Sequence, residues 1–171
     1  DVRLARDDRG SIGIGVARDH AEERVHEVDE PVAHTAQRIK AGPASAELGV
    51  IGELAASRVR DGATLQLGIG QIPDAVLPGL TRLKGLGIWS EMFSDGVLSL
   101  IEAGAMDLDR PIVASFAAGS AELLSWMHRN PQVRMLRTET TNNPAQIAKQ
   151  PQMTSINTAL QVDLFGQANA S

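Results

Sequence analysis

Glu91 stands twenty-one positions after Gly70 in a Gly68-Ile69-Gly70 turn, and this pairing has the clearest chemical content in the sequence. A glutamate with an ordinary pKa near ~4.3 is ionised at neutral pH, so it can attack a carbonyl without a general base. In water it is a poor nucleophile, and desolvation with close positioning must make up the difference. The attacked carbonyl develops an oxyanion, which fixed backbone N–H donors stabilise. A glycine turn running into a helix offers such donors at the positive end of the helix. The same spacing also resembles a dinucleotide-binding fingerprint, in which Gly-x-Gly follows a strand and an acid follows about twenty residues later. Pro73 occupies the third glycine position of that fingerprint, where close helix–strand packing favours glycine. A P-loop is excluded, because no Gly-Lys-Ser/Thr follows the turn. The plain alternative is that the glycines only turn the chain and Glu91 only caps a helix opening near Ser94. On the residues alone, all three readings stay open.

His20 and His26 stand among Glu22, Glu23, Glu27 and Asp29, which are ligand types for a metal. Their spacing matches none of the tight helical zinc signatures, so a solvated helix or loop is expected there and no metal site. His34 and His128 are isolated and read as surface or packing residues. The absence of cysteine excludes disulfides, zinc–thiolate sites and thiol catalysis.

A βαβ unit must hold the glycine turn and the glutamate together. Thr64–Leu67 is a short β-prone run, and Pro73 suits the first turn of a helix, where its missing N–H has no use. The helix is predicted from about Asp74 to Leu83, stopped by Lys84-Gly85-Leu86-Gly87. Leu86–Trp89 follows as a buried strand that ends just before Glu91. Parallel strands joined by a helix bring both carboxyl ends to one rim, where ligands of open α/β sheets bind. Glu91 is therefore expected to face the bare N–H groups of the Gly68–Gly70 turn.

Around this unit, Ala44–Arg60 reads as an amphipathic helix with Leu48, Ile51, Leu54, Ala55 and Val59 on one stripe. Ser94 or Asp95 caps a helix ending near Gly104. Pro111–Phe116 is a continuous apolar run suited to a parallel strand. Gly119-Ser120 opens a helix over Ala121–Arg129, and Val133–Leu136 is a strand. Thr138–Asn143 reads as a polar loop and Pro144–Lys149 as a helical turn. Thr154–Gln167 reads as two short strands, the second alternating Leu160, Val162 and Leu164. Ser11–Val16 is a candidate strand inside a poorly readable segment, residues 1–43. The alternation over residues 44–171 argues α/β, with a mainly parallel sheet flanked by helices.

Hydrophobic residues make up 43% of the 171 positions, with 3% aromatic and no tyrosine, so the core must be aliphatic. A formal charge of −5 argues against a nucleic-acid partner. No apolar run approaches the roughly 18 residues of a membrane span, and the charged start is unlike a signal peptide. No membrane role is expected, and the cytoplasm is the default compartment. The first residue is not Met and the last follows a strand-like segment, which reads as a piece of a longer protein.

Several strings, taken together and in order, resemble the acetyl-CoA hydrolase/4-hydroxybutyrate CoA-transferase family. They are Asp61-Gly62-Ala63-Thr64-Leu65-Gln66-Leu67-Gly68-Ile69-Gly70, Ile72-Pro73-Asp74-Ala75-Val76-Leu77 and Ser90-Glu91-Met92-Phe93-Ser94-Asp95-Gly96, followed by Ser155-Ile156-Asn157 and Gln161-Val162-Asp163-Leu164-Phe165-Gly166-Gln167. The resemblance runs from about residue 44 to the end. It implies a class I CoA-transferase-like half-domain, incomplete at its C-terminal end. It implies Glu91 as the nucleophile, passing through an acyl-glutamyl anhydride and a glutamyl-CoA thioester. Gly68, Ile69 and Gly70 would line the acyl and thioester pocket, with Asn157 and Gln167 as further wall candidates and Arg82 or Lys84 toward the CoA phosphates. Coenzyme A would be a co-substrate, with no permanently bound cofactor. The partners would be an acyl-CoA and a small carboxylic acid, and the chain would form a homo-oligomer or belong to a longer one. Members of the family are longer than this chain, which lacks their first α/β half and stops before a glycine-rich segment. That favours one alternative, a non-catalytic piece assembling with a partner chain; a dinucleotide-binding α/β domain is the other.

Overall fold

The computed structural model describes residues 2–6, 12–16 and 45–170. The histidines and carboxylates between His20 and Asp29, and His34, lie outside the described residues. In chain order the elements are β1 (Val2–Arg6), β2 (Ile12–Val16), α1 (Ala46–Ala56), β3 (Thr64–Leu67), α2 (Gln71–Leu80), β4 (Gly87–Ile88), β5 (Met92–Phe93), α3 (Gly96–Glu102), β6 (Ile112–Ala114), β7 (Phe116–Ala117), α4 (Ala121–Met127), β8 (Val133–Met135), α5 (Thr138–Thr141), α6 (Pro144–Ile147), β9 (Thr154–Ile156), β10 (Gln161–Val162) and β11 (Ala168–Asn169).

Parallel pairing dominates. β3 lies between β4 and β9, with Leu65 opposite Ile88 on one side and Thr154 on the other. β6 pairs with β8 and β5 with β7, also parallel. A bridge between Trp89 and Val113 joins the β4 line to β6. The fold is α/β with a mainly parallel sheet and flanking helices; β1–β2 and β10–β11 are the antiparallel pairs among the described residues. The core is aliphatic, as the composition requires, with Leu65, Leu80, Ile88, Leu100 and Ile112 fully buried and Phe93 their aromatic companion. Each such side chain contributes about 1.5–3 kcal/mol by leaving water.

Local chemistry sets the helix ends. Ser45 and Ser120 cap α1 and α4 by accepting the N–H of Leu48 and Leu123. α2 starts at Gln71 instead of Asp74, because Gly70, at φ 115°, takes the cap position. Pro73 is thereby buried within the first turn, and Pro78 sits inside the last.

Four expectations are corrected. The buried side of α1 is not the large-residue stripe: Ile51 and Leu54 are exposed, and Gly52 and Ala56 make the contact. A Cβ on Gly52 would lie 2.1 Å from the Ala75 carbonyl oxygen, and one on Gly79 2.5 Å from Ala56 Cβ, so α1 and α2 approach too closely for larger side chains. The Pro111–Phe116 run is broken at Ser115 into β6 and β7. Thr138–Thr141 forms a helical turn, held because Thr141 is buried against Ser115, with their hydroxyls 2.6 Å apart. Leu160, Val162 and Leu164 alternate without a buried face, since all three are exposed. Among the described residues no helix is long and apolar enough to cross a membrane.

Candidate active site

The site grows from the point where β3 and β4 part. Carrying their register on from Leu65 and Ile88 sets Leu67 opposite Ser90 and Gly68 opposite Glu91. The backbone ladder stops short of that point. Trp89 N–H donates to Leu65 O at 3.0 Å, but Ser90 N–H turns away to Val113 O at 3.1 Å. Ser115 and Phe116 then both donate to Glu91 O, at 2.8 and 3.1 Å. Two successive donors on one carbonyl mark a β-bulge, a kink in the Ser115–Phe116 strand; opposite it, Glu91 is exposed between the buried Ser90 and Phe93. Below the kink, the Trp89 indole donates to Thr141 O at 2.8 Å. The Glu91 backbone is therefore fixed from the β6–β7 side as well as from below.

Beyond the carboxyl end of β3 lies the glycine turn. The expectation that all its N–H groups are bare is corrected at one residue: Gly68 N–H donates to Ile156 O at 2.8 Å. Ile69 and Gly70 donate to nothing among the described residues, and they lead into the start of α2, where helix N–H groups are intrinsically unpaired. A Cβ built on Gly70 meets nothing within 4 Å, so open space lies beside it. Ile69 is exposed.

Asn157 is brought to the same corner. A Cβ on Gly68 would lie 2.7 Å from Asn157 Oδ1, an approach that glycine alone permits. The Asn157 amide is oriented by Gln66: its Nδ2 donates to Gln66 Oε1 at 2.8 Å, and Gln66 Nε2 returns a bond to Asn157 Oδ1 at 3.2 Å. The Ser155 hydroxyl donates to Gln66 Oε1 and accepts from Asn157 Nδ2. Gln167 lies in the exposed β10–β11 hairpin, where its N–H donates to Asp163 Oδ1 at 2.9 Å. Arg82 and Lys84 precede the amino end of β4, whereas Glu91 follows its carboxyl end; Lys84 Nζ donates to Gly104 O at 3.0 Å. His128 closes α4, and its Nδ1 is buried with no hydrogen-bond partner among the described residues. No group of metal-ligating side chains occurs among the described residues.

Two carboxylates stand near the rim. Asp95 occupies the cap position of α3 but gives its oxygens to the N–H and hydroxyl of Ser120, at 3.0 and 2.6 Å. Asp74 is held above the ordinary aspartate range, first by burial and then by the charge of Asp95.

Sequence reasoning passed over Ser90, the Asp95–Ser120 tie and the Gln66–Ser155 support of Asn157. Ser90 carried a usable signal: a hydroxyl inside the apolar run Gly87-Ile88-Trp89-Ser90 must find a partner when buried.

The fold and this corner define an α/β unit of the CoA-transferase kind. It superposes on the 4-hydroxybutyrate CoA-transferase of Porphyromonas gingivalis with a TM-score of 0.67 and 44% identity, over 71% of this chain and 33% of that one. More narrowly, the chain is a relative of the acetyl-CoA hydrolase/4-hydroxybutyrate CoA-transferase family. Residues 119–171 match the acetyl-CoA hydrolase/transferase C-terminal domain. The chain is 48% identical over 123 residues to the 4-hydroxybutyrate coenzyme A transferase of Clostridium kluyveri, covering 68% of this chain and 29% of that protein. It is 42% identical over 135 residues to the succinyl-CoA:acetate/propanoyl-CoA:succinate CoA transferase of Fasciola hepatica, covering 75% and 28%. The chain thus spans about three-tenths of the length of these relatives.

Proposed function

We propose that the protein takes part in moving CoA between an acyl-CoA thioester and a small carboxylic acid, or in hydrolysing acyl-CoA, through a covalent intermediate on Glu91. The Glu91 carboxylate attacks the thioester carbonyl and expels CoA thiolate, leaving an acyl-glutamyl anhydride. The thiolate then attacks the glutamyl carbonyl and releases the acyl group as a carboxylate, leaving a glutamyl-CoA thioester. An acceptor carboxylate reverses the two steps with a new acyl group; water instead would free CoA and restore Glu91. Each step passes through an oxyanion. Gly68, Ile69 and Gly70 form the facing wall, with the amides of Ile69 and Gly70 as donors. Asn157 lies beside Gly68, and Gln167, on the β10–β11 hairpin, is a further wall candidate. Coenzyme A serves as a substrate, and the cytoplasm is the compartment we assign.

One observation carries this reading: an exposed glutamate opposite the Ser115–Phe116 bulge, where the extended β3–β4 register meets a glycine turn whose next two N–H groups have no partner among the described residues. The exposed Leu164 and Phe165 favour the competing reading, a non-catalytic piece that assembles with a partner chain. Intact mass before and after incubation with acetyl-CoA separates the two. The proposal expects an adduct of CoA size that Glu91→Gln abolishes while the circular dichroism spectrum is unchanged. An adduct that persists in Glu91→Gln removes Glu91 from the mechanism, and no adduct on the parent chain favours the assembly reading.

A further inference from the structure

We infer that Ser90 is a positioning residue, whose hydroxyl sets the width of the crevice between the glycine turn and Glu91. This rests on the reading of Glu91 given above. Ser90 is 1% exposed, and its Oγ meets both backbone groups of Leu67, accepting from the N–H at 3.3 Å and donating to the C=O at 3.4 Å. In a parallel ladder, successive residues face opposite neighbours. Gly68 turns its N–H to β9, so the Leu67 groups face the β4 line. The backbone of that line has already left, because Ser90 N–H is bonded to Val113. The hydroxyl therefore replaces the missing rung. It ties the residue before the glycine turn to the residue before the glutamate, one side chain wider than a backbone rung would allow.

That extra width has a chemical use. Directly paired strands lie about 4.8 Å apart, too close to admit a reacting carbonyl between Glu91 and the amides of Ile69 and Gly70. With no tie at all, Leu67 N–H and C=O would be buried without partners, and the turn could drift relative to the carboxylate. The hydroxyl holds the strands apart and at a fixed distance. Ser90 itself touches no reacting atom in this arrangement.

The test compares parent, Ser90→Ala and Ser90→Thr, the last keeping the hydroxyl, with two readouts. Amide hydrogen exchange at Leu67 reports the tie, and the rate of CoA-adduct formation at saturating acetyl-CoA reports the positioning. In Ser90→Ala, Leu67 exchange is expected to quicken and the adduct rate to fall about tenfold to a hundredfold, the scale of a misplacement near 1 Å. The acetyl-CoA concentration for half-maximal rate should stay unchanged, and Ser90→Thr should recover both readouts. Faster exchange with an unchanged adduct rate would make the tie merely structural and overturn the inference. So would a slowed adduct rate with Leu67 exchange unchanged. If the parent forms no adduct, the reading of Glu91 fails and the positioning role falls with it; Leu67 exchange then reports on the tie alone. Should Ser90→Ala not fold, Ser90→Thr and Ser90→Cys carry the comparison, and a Cys variant as fast as the parent counts against the hydroxyl.

Discussion

Phe93 and Phe165 are the same side chain, each beside short strands, yet one is 1% exposed and the other 90%. Phe93 belongs to β5, which pairs with β7, and it packs into the core that includes Val97 and Leu100. Phe165 sits at the tip of the β10–β11 hairpin, beside Leu164, which is equally open to solvent. The hairpin is not shapeless: Asp163 Oδ1 accepts from Phe165 N–H at 2.8 Å and Gln167 N–H at 2.9 Å, and Gly166 takes the left-handed conformation at φ 84°. Its form comes from local hydrogen bonds, with almost no burial. In the β3–β7 region, burial and hydrogen bonding act on the same residues. The two regions show that an apolar pattern can accompany a defined backbone without belonging to the core.

The contrast can be broken most forcefully at Phe93. Phe93→Ala should cost about 3–5 kcal/mol of unfolding free energy, the usual range for a fully buried aromatic. A urea midpoint nearly unchanged from the parent would deny that the two phenylalanines differ. At the other pole, the double change Leu164→Ser and Phe165→Ser should alter stability by no more than about 0.5 kcal/mol, as exposed substitutions do. A loss comparable to that of Phe93→Ala would mean the hairpin tip is covered in the folded protein. The smallest effect concerns Asp74, on the site side of the comparison. Its pKa is raised in the folded state by burial and by Asp95, so folding favours the protonated acid. The stability linked to this group is present at low pH and lost as the pH rises through the folded pKa. Asp74→Asn, which cannot ionise, should raise Tm slightly at pH 7. That gain should fade as the pH falls toward the ordinary aspartate value near ~4. A gain that grows on acidification would contradict the direction of the shift.

The βαβ unit was readable because its signals are local. Thr64–Leu67 is a strand at the expected residues, and Ser120 opens α4 as expected, a side chain next to the N–H group it satisfies. The failures share another cause, contacts between residues far apart in sequence. The stripe on α1 was misassigned because hydrophobic periodicity rewards large residues, while the close approach of α2 selects Gly52 and Ala56. Threonines are weak helix formers, and α5 holds its turn with the help of the Ser115–Thr141 contact. The bulge at Ser115 leaves no mark in an apolar run, because composition reports burial and not which carbonyl a given N–H meets. For the same reason the contacts of Asn157 and Gln167 could not be told apart in the sequence. One lies beside Gly68 and the other in the hairpin.

The shared carbonyl of Glu91 also bears on the order of folding. Its two donors lie in the Ser115–Phe116 pair, the neighbouring Trp89 is anchored on Thr141, and Ser90 reaches back to Leu67. No stretch of chain around Glu91 contains all of these partners. Long-range closures of this kind are slow and are won only as the loops between them close. The geometry of the glutamate therefore depends on the completed fold, and a peptide carrying only the residues around it would not hold it.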